Sequence, residues 1–184
     1  RLGALLEGEL LWREPTVARA AIDRLTELTG PGTTPVRLAE ARYAVSAPAE
    51  DGDSADQRAA RALGLIDEAL LEAPGDPRIL AAKGNLLLAE FDNERELREQ
   101  GISLLDEAFT ADPANTSLAV RLLPLLHEQQ SWDRAGRVLD RVRSLRGSDP
   151  RVAVQLADFY VQQGRVREAV DYLASFDEPP AAVL

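Results

Sequence analysis

The sequence predicts an all-α chain, an α-solenoid of about five antiparallel helix pairs. Three observations carry that reading. Alanine, leucine, arginine and glutamate dominate while aromatic residues make up only 5%, which favours helices and gives strands little to pack. Apolar residues recur at helical spacing, as in Arg61–Ala73, where Leu63, Ile66, Ala69 and Leu70 share one side and Asp67, Glu68 and Glu72 another. Turn clusters interrupt such stretches at roughly regular distances, and a fixed period is the signature of stacked repeats. No alternating strand segment of comparable quality occurs.

In chain order, the first expected pair joins a helix over Leu2–Trp12 to one over Thr16–Leu28. The second joins about Pro35–Val45 to the helix through Arg61–Ala73, across an insertion at Pro48-Ala49-Glu50-Asp51-Gly52-Asp53. The third begins at Pro77 and is completed by Glu96–Phe109, with about five inserted residues near 91–95. Ser117–Glu128 with Trp132–Leu145 makes the fourth, and Arg151–Gln162 with Val166–Phe176 the fifth. Pro74-Gly75-Asp76-Pro77, Asp112-Pro113-Ala114-Asn115 and Gly147-Ser148-Asp149-Pro150 separate successive pairs, which recur at roughly 34 to 42 residues. The repeats therefore run over 1–34, 35–76, 77–115, 116–149 and 150–184 of one continuous array. Ser131-Trp132-Asp133 and Gln163-Gly164-Arg165 stand at equivalent points between paired helices, each followed by Ala135 or Ala169 and then Leu139 or Leu173. Pro124 lies inside a continuous helical pattern, where it removes a hydrogen bond to Val120 and predicts a kink.

Composition excludes several chemistries. The 184 residues contain no cysteine and one histidine, so disulfides, thiolate metal sites, cysteine nucleophiles and histidine-cluster metal sites are out. Asp67-Glu68 and Asp106-Glu107 are sequence neighbours that face different directions on a helix, so neither is an acid–base couple. Gly30-Pro31-Gly32 lacks the lysine and hydroxyl residue of a phosphate loop. His127 has no nominated nucleophile or paired acid and reads as an imidazole near a helix C-terminus. No catalytic residue, cofactor or metal is expected. With 31 acidic against 21 basic side chains and a formal charge of -10, nucleic acid is not an expected partner. No apolar run approaches the roughly 18 residues of a membrane span. The absence of methionine, the apolar start at Arg1-Leu2-Gly3-Ala4 and the bare end at Val183-Leu184 suggest a segment of a longer polypeptide. Its compartment, periplasm or cytoplasm, stays open.

Charge is uneven along the chain. Residues 1–112 hold 22 acids and 12 bases, whereas 113–184 hold nine of each. Glu50-Asp51-Gly52-Asp53 with Asp56 forms an acidic loop, and Arg134, Arg137, Arg141, Arg143 and Arg146 a basic helix against Asp133 and Asp140. Both read first as solvated surface, and second as surfaces that steer a partner.

The spacing of these residues resembles the tetratricopeptide repeat (TPR) family. Counting from Pro150, Leu156, Ala157, Tyr160, Ala169, Leu173 and Phe176 fall at repeat positions 7, 8, 11, 20, 24 and 27. From Thr116, Leu122, Leu123, Leu126, Ala135, Leu139 and Val142 take the same six. From Pro77, Leu80, Gly84 and Leu87 match positions 4, 8 and 11, and Leu105, Ala108 and Pro113 match after the insertion. Ala62, Ile66, Ala69 and Pro74 match one helix farther upstream, and Ala21, Leu25 and Leu28 fit more loosely. The small residues let helix backbones approach, so a large side chain at Ala135 or Ala169 should cost about 1 to 3 kcal/mol by overpacking.

The resemblance implies a right-handed superhelix with a concave groove lined by the first helix of each pair, at repeat positions 2, 5, 6, 9, 12 and 13. Those positions include Val36, Ala39, Glu40 and Tyr43, then Arg78, Ala82, Asn85 and Leu88. They continue with Ser117, Arg121, Pro124 and His127, and with Arg151, Gln155 and Asp158. Tyr43, Arg78, Asn85, Ser117, Arg121, His127, Arg151, Gln155 and Asp158 are the candidate groove contacts. Lys83 is the one lysine, which argues against the lysine-rich clamp that chaperone-binding members use. Trp132 is expected to cover a pair junction, and Tyr160 to space helices. The implied function is non-catalytic: a scaffold segment of a larger, bacterial protein that binds a protein or peptide, including other domains of its own chain. The alternative is a self-associating or spacer array supporting an envelope export or assembly machine.

Overall fold

The computed structural model describes residue 12 and residues 14–47, 53–145 and 150–174. Among them are nine helices and no strand: α1 (Pro15–Thr29), α2 (Thr34–Ser46), α3 (Ala55–Glu72), α4 (Pro77–Glu90), α5 (Arg95–Ala111), α6 (Thr116–Glu128), α7 (Trp132–Ser144), α8 (Pro150–Gln162) and α9 (Val166–Leu173). The fold is all-α and of the solenoid class, as the periodicity predicts. The helix expected over Leu2–Trp12, Trp12 apart, and the stretch from Phe176 lie outside the described residues. The chain divides into two compact units, Arg1–Leu104 and Leu105–Leu184, with the boundary inside α5.

In Arg1–Leu104, the packing of α2 shows why that helix carries alanine at its close approaches. Val36 and Ala39 pack with Ala18, Ile22 and Leu25 of α1 and with Trp12. Ala41 and Ala44 pack instead with Ala62, Ile66 and Ala69 of α3. A helix covered on two sides needs apolar residues around much of its circumference, and small ones where both neighbours come close. α3 in turn receives Ile79 and Leu86 of α4 into the same core. Polar tethers frame it: Arg37 reaches Glu68 at 3.3 Å and Glu72 at 2.6 Å, and Lys83 reaches Asp67 at 2.7 Å. Such exposed pairs fix register more than they add stability.

Helix starts follow local chemistry. Ser54 accepts from the Gln57 backbone N–H while the Gln57 side chain accepts from the Ser54 N–H, a capping box that opens α3 beside the insertion. Asp76 caps α4, with Pro77 in the first turn. The residues inserted in the third repeat do not form a long loop. Phe91–Glu94 makes a tight turn, and α5 extends to 17 residues where α7 has 13. Gly101 of α5 sits tightest: a Cβ there would lie 3.0 Å from Leu88 Cγ, 3.1 Å from the Gly84 carbonyl oxygen and 3.3 Å from Leu87 Cβ. Allowing for the five inserted residues, Gly101 occupies repeat position 20, the place of Ala135 and Ala169.

In Leu105–Leu184, α6 packs on α7 and α8, and α8 on α9. Leu118, Ala119, Leu122, Leu123 and Leu126 bury one side of α6, and α7 answers with Ala135, Val138, Leu139 and Val142. Tyr160 is fully buried and tilts against Tyr172 at 6.1 Å, the spacer role expected of it. Arg134 ties α7 to α5 through Asp106 at 2.8 Å, so this member of the basic helix is paired. α6 continues through Pro124. The small residues expected at close approaches are all buried: Ala62, Ala69, Gly84, Ala108, Ala135, Ala157 and Ala169.

α6 and α8 end alike. Ser131 N–H donates to the Leu126 carbonyl and Gln130 N–H to His127; Arg165 N–H donates to Tyr160 and Gly164 N–H to Val161. The pair of bonds is a Schellman motif, which places its fifth residue in the left-handed region. Gln130 has φ 55° and Gly164 has φ 72°. The equivalent points are thus Gln130-Ser131 and Gly164-Arg165, a shift of register from the sequence-based pairing.

Three substitutions test these geometries. Gln130→Gly should raise stability by roughly 0.5–1 kcal/mol in urea unfolding, because glycine adopts the left-handed conformation without the Cβ penalty. Gly64→Ala, on a helix surface with nothing within 4 Å, should also stabilise by about 0.5–1 kcal/mol. Gly101→Ala should instead destabilise by about 1–3 kcal/mol, since the backbone oxygen of Gly84 cannot move aside. Equal effects at Gly64 and Gly101 would show that the α4–α5 approach is slack.

Candidate functional site

The expected contacts fall into two sets. In Arg1–Leu104 they are Tyr43 on α2 and Arg78 and Asn85 on α4. Tyr43 is half-buried, and the Arg19 guanidinium lies 4.9 Å from its ring centre, a cation–π contact from α1. Arg78 is exposed and turned toward its own helix start, where Nε and Nη2 reach Asp76 at 3.0 and 2.6 Å. Asn85 differs from both: its side-chain oxygen is buried and receives no hydrogen bond. An orphaned buried acceptor costs about 1–3 kcal/mol, so it marks a place where a donor is missing.

Val36 and Ala39, which the repeat pattern puts on the groove, are buried against α1 and reach no ligand. Leu88 packs on Gly101, and Ala82 rests on the core formed by α2, α3 and α4. The accessible strip of these first helices is therefore narrower than the pattern implies.

Tyr43 also borders a cleft of about 140 Å³ where α1, α2 and α3 meet. Arg19, Arg58 and Arg61 line it together with Glu40 and Asp53, and Ala44, Ala47 and Leu65 give it apolar walls. Arg19 approaches Glu40 at 3.8 Å and Arg61 holds Asp53 at 2.6 Å. Arg58 Nη1 donates to the Ala47 carbonyl at 2.7 Å. Sequence reasoning misses Arg58 because it sits on a second helix, beyond the insertion, and no local pattern links it to Tyr43.

In Leu105–Leu184, Ser117, Arg121 and Asp158 are exposed, and His127 is partly buried. The side chains of Arg151 and Gln155 lie outside the described residues. His127 is held by rings: it meets Trp132 edge-on at 5.0 Å and Phe159 at 5.9 Å. Trp132 is 52% exposed, so it packs on His127 across the turn and covers less of the junction than expected. Among the described residues no group of three or more metal-ligating side chains comes together. Among them too, no helix is long and apolar enough to cross a membrane.

No family model and no curated protein matches the chain. Among solved structures, the crystal structure of MamA is similar, with a TM-score of 0.53 and 13% sequence identity over 85% of this chain and 82% of that one. At that identity the likeness is one of fold. An all-helical chain with a helical-repeat neighbour fits a TPR-like repeat.

The Asp76–Arg78 pair makes a prediction with a definite sign. Hydrogen bonding from the Arg78 guanidinium, helped by its backbone N–H and charge and opposed by burial, holds the Asp76 carboxyl below the usual carboxylate value. A lowered carboxyl contributes stability that is complete above its unfolded value of about 4 and is lost as pH falls through its folded value. Asp76→Ala should therefore cost roughly 1 kcal/mol at neutral pH. The gap to wild type in urea unfolding should close as pH is lowered below about 4. A gap that persists into acid would assign the effect to packing instead of charge.

Proposed function

We propose that this chain is a TPR-like scaffold segment without catalytic activity, which holds a segment of a partner protein along the accessible strip of its first helices. The observation that carries the reading is Asn85. Its side-chain oxygen is buried without a donor at a repeat position that the sequence assigns to the groove. Rotation of the half-buried Asn85 side chain would bring that oxygen to a backbone N–H of an extended segment. Main-chain recognition of this kind tolerates varied partner sequences, because every residue but proline offers the same group.

Tyr43 adds an aromatic surface at the corresponding position of the preceding repeat, already fixed by Arg19. A rigid ring offers contact area at small entropic cost. Arg78 contributes less than its position implies, because its guanidinium is engaged by Asp76. In the second set Arg121 and Asp158, both exposed, offer charges of opposite sign that would favour a partner of mixed charge.

Photo-reactive residues at Tyr43 and at Asn85, compared with one at Leu71, test the strip. Leu71 is 84% exposed and lies on a second helix. Cross-linking in the source cells should give adducts of one common mass at Tyr43 and Asn85 and none at Leu71. Adducts at all positions alike, or at Leu71 alone, would assign the contact surface elsewhere.

A further inference from the structure

The last described helix leaves part of its apolar surface open. α9 buries Ala169 and Tyr172 against α8, whereas Val166 is 53% and Val170 59% exposed. Among the described residues they are the one pair of exposed large hydrophobics set four apart on a helix, so both stand on one side of it. Half-buried Leu173, three residues on, extends that side toward the end of α9. The fourth repeat differs at the equivalent positions: Gly136 stands in place of Val170, and Leu139 is buried where Leu173 is half-buried. α7 lies away from the valines, where its Asp140 is a charged neighbour of Arg165. Repeat arrays end on a polar outer face where water meets it; this side of α9 is apolar.

We propose that two copies of this chain pair through this side of α9, antiparallel about a two-fold axis at Val170. A two-fold contact must be self-complementary, and the order of residues along α9 meets that demand. With Val170 set on its own counterpart, Val166 falls beside Leu173 of the second copy, and Leu173 beside its Val166. Arg167 and Asp171 border the valines one turn apart, both exposed and, among the described residues, without an ion pair. Reversing the direction of one helix sets each Arg167 alongside Asp171 of the other copy, with small Ala174 between them. The contact then carries two reciprocal ion pairs, whereas a parallel pairing would bring like charges together. Residues 175–184, outside the described residues, follow Ala174 and hold two acids and no base, so they bring no positive charge against Arg167. One short helix on another covers less than the roughly 1,200–2,000 Å² of stable interfaces, so the dimer forms reversibly and in step with concentration. The surface belongs to a second helix and is separate from the strip of first helices assigned to a partner protein, so the two readings stand or fall independently.

Light scattering on the full chain should show the mass climbing with concentration to twice that of the monomer and no further. Arg167→Asp, and likewise Asp171→Arg, turns both attractions into repulsions and should raise the dissociation constant at least about tenfold. The double variant Arg167→Asp/Asp171→Arg re-forms both pairs and should return to within about threefold of wild type. Because the chain has no cysteine, Val170→Cys adds a lone thiol whose counterpart across the axis is itself. On mild oxidation it should form a disulfide-linked dimer at least about tenfold faster than Leu71→Cys, an exposed position on α3. If a charge variant unfolds, the wild-type series and the Val170→Cys rate still decide. A monomer at every concentration, the result expected if residues 175–184 or another protein cover the valines, would overturn the proposal. Growth beyond two copies, a double variant as weak as the single ones, or equal oxidation at the two cysteines would overturn it as well.

Discussion

Two-sided burial of a helix, as in α2, is the constraint on which the rest of the structure depends. α2 meets α1 with Val36 and Ala39 and α3 with Ala41 and Ala44. A helix flanked in this way cannot carry large side chains all round, because its neighbours would be pushed apart and dispersion attraction between them forfeited. Alanine and glycine take the close approaches, with Gly101 against the Gly84 carbonyl as the tightest approach described among the glycines. The composition follows: 45% hydrophobic residues with only 5% aromatic. The few rings that are buried, such as Tyr160, fill gaps between helices and do not form a central core.

The same constraint shapes the candidate site. A helix covered on two sides has little circumference left for a ligand, and most charged side chains bordering that strip are already engaged. Arg37 and Lys83 tether α2 and α4 to α3, and Arg78 is held by Asp76, the cap of its own helix. What distinguishes Asn85 and Arg58 is a buried polar atom that these internal pairings leave unsatisfied. Unsatisfied buried groups destabilise a fold and are few in native proteins. Such an atom beside the strip therefore says more than exposure, which Ser117, Arg121 and Asp158 share with much of the surface.

The helices are legible in the sequence because each carries a 3.6-residue apolar period and ends at a turn cluster. Residue roles are legible only where the repeat count holds. Ala135 and Ala169 stand out at once, but the equivalent Gly101 is hidden by the residues inserted before it, which the structure places in a longer α5. Repeat position assigns Val36 and Ala39 to the groove, yet what decides their exposure is the packing of α1, which position alone does not encode. Arg58 and Tyr43 line one cleft from either side of an insertion, and His127 meets Trp132 and Phe159 across a turn and a neighbouring helix. Side-chain meetings between elements leave no periodic trace in a sequence.

The ends of α6 and α8 show how far backbone geometry outruns sequence here. Both close with the same two hydrogen bonds and the same left-handed residue, although one chain position is Gln130 and the other Gly164. Glutamine incurs a conformational penalty that glycine avoids, so the turn is imposed by the packing of the following helix and is not chosen by the residue. A repeat held by such tertiary demands can change most of its residues, provided small side chains stay at the approaches and apolar ones between them. That tolerance accounts for a fold likeness to MamA at 13% identity in a chain that no family model matches. It also locates where specificity resides. If the scaffold constrains so few positions, polar side chains at the others, Asn85 among them, are the ones left to distinguish this chain from others of its fold.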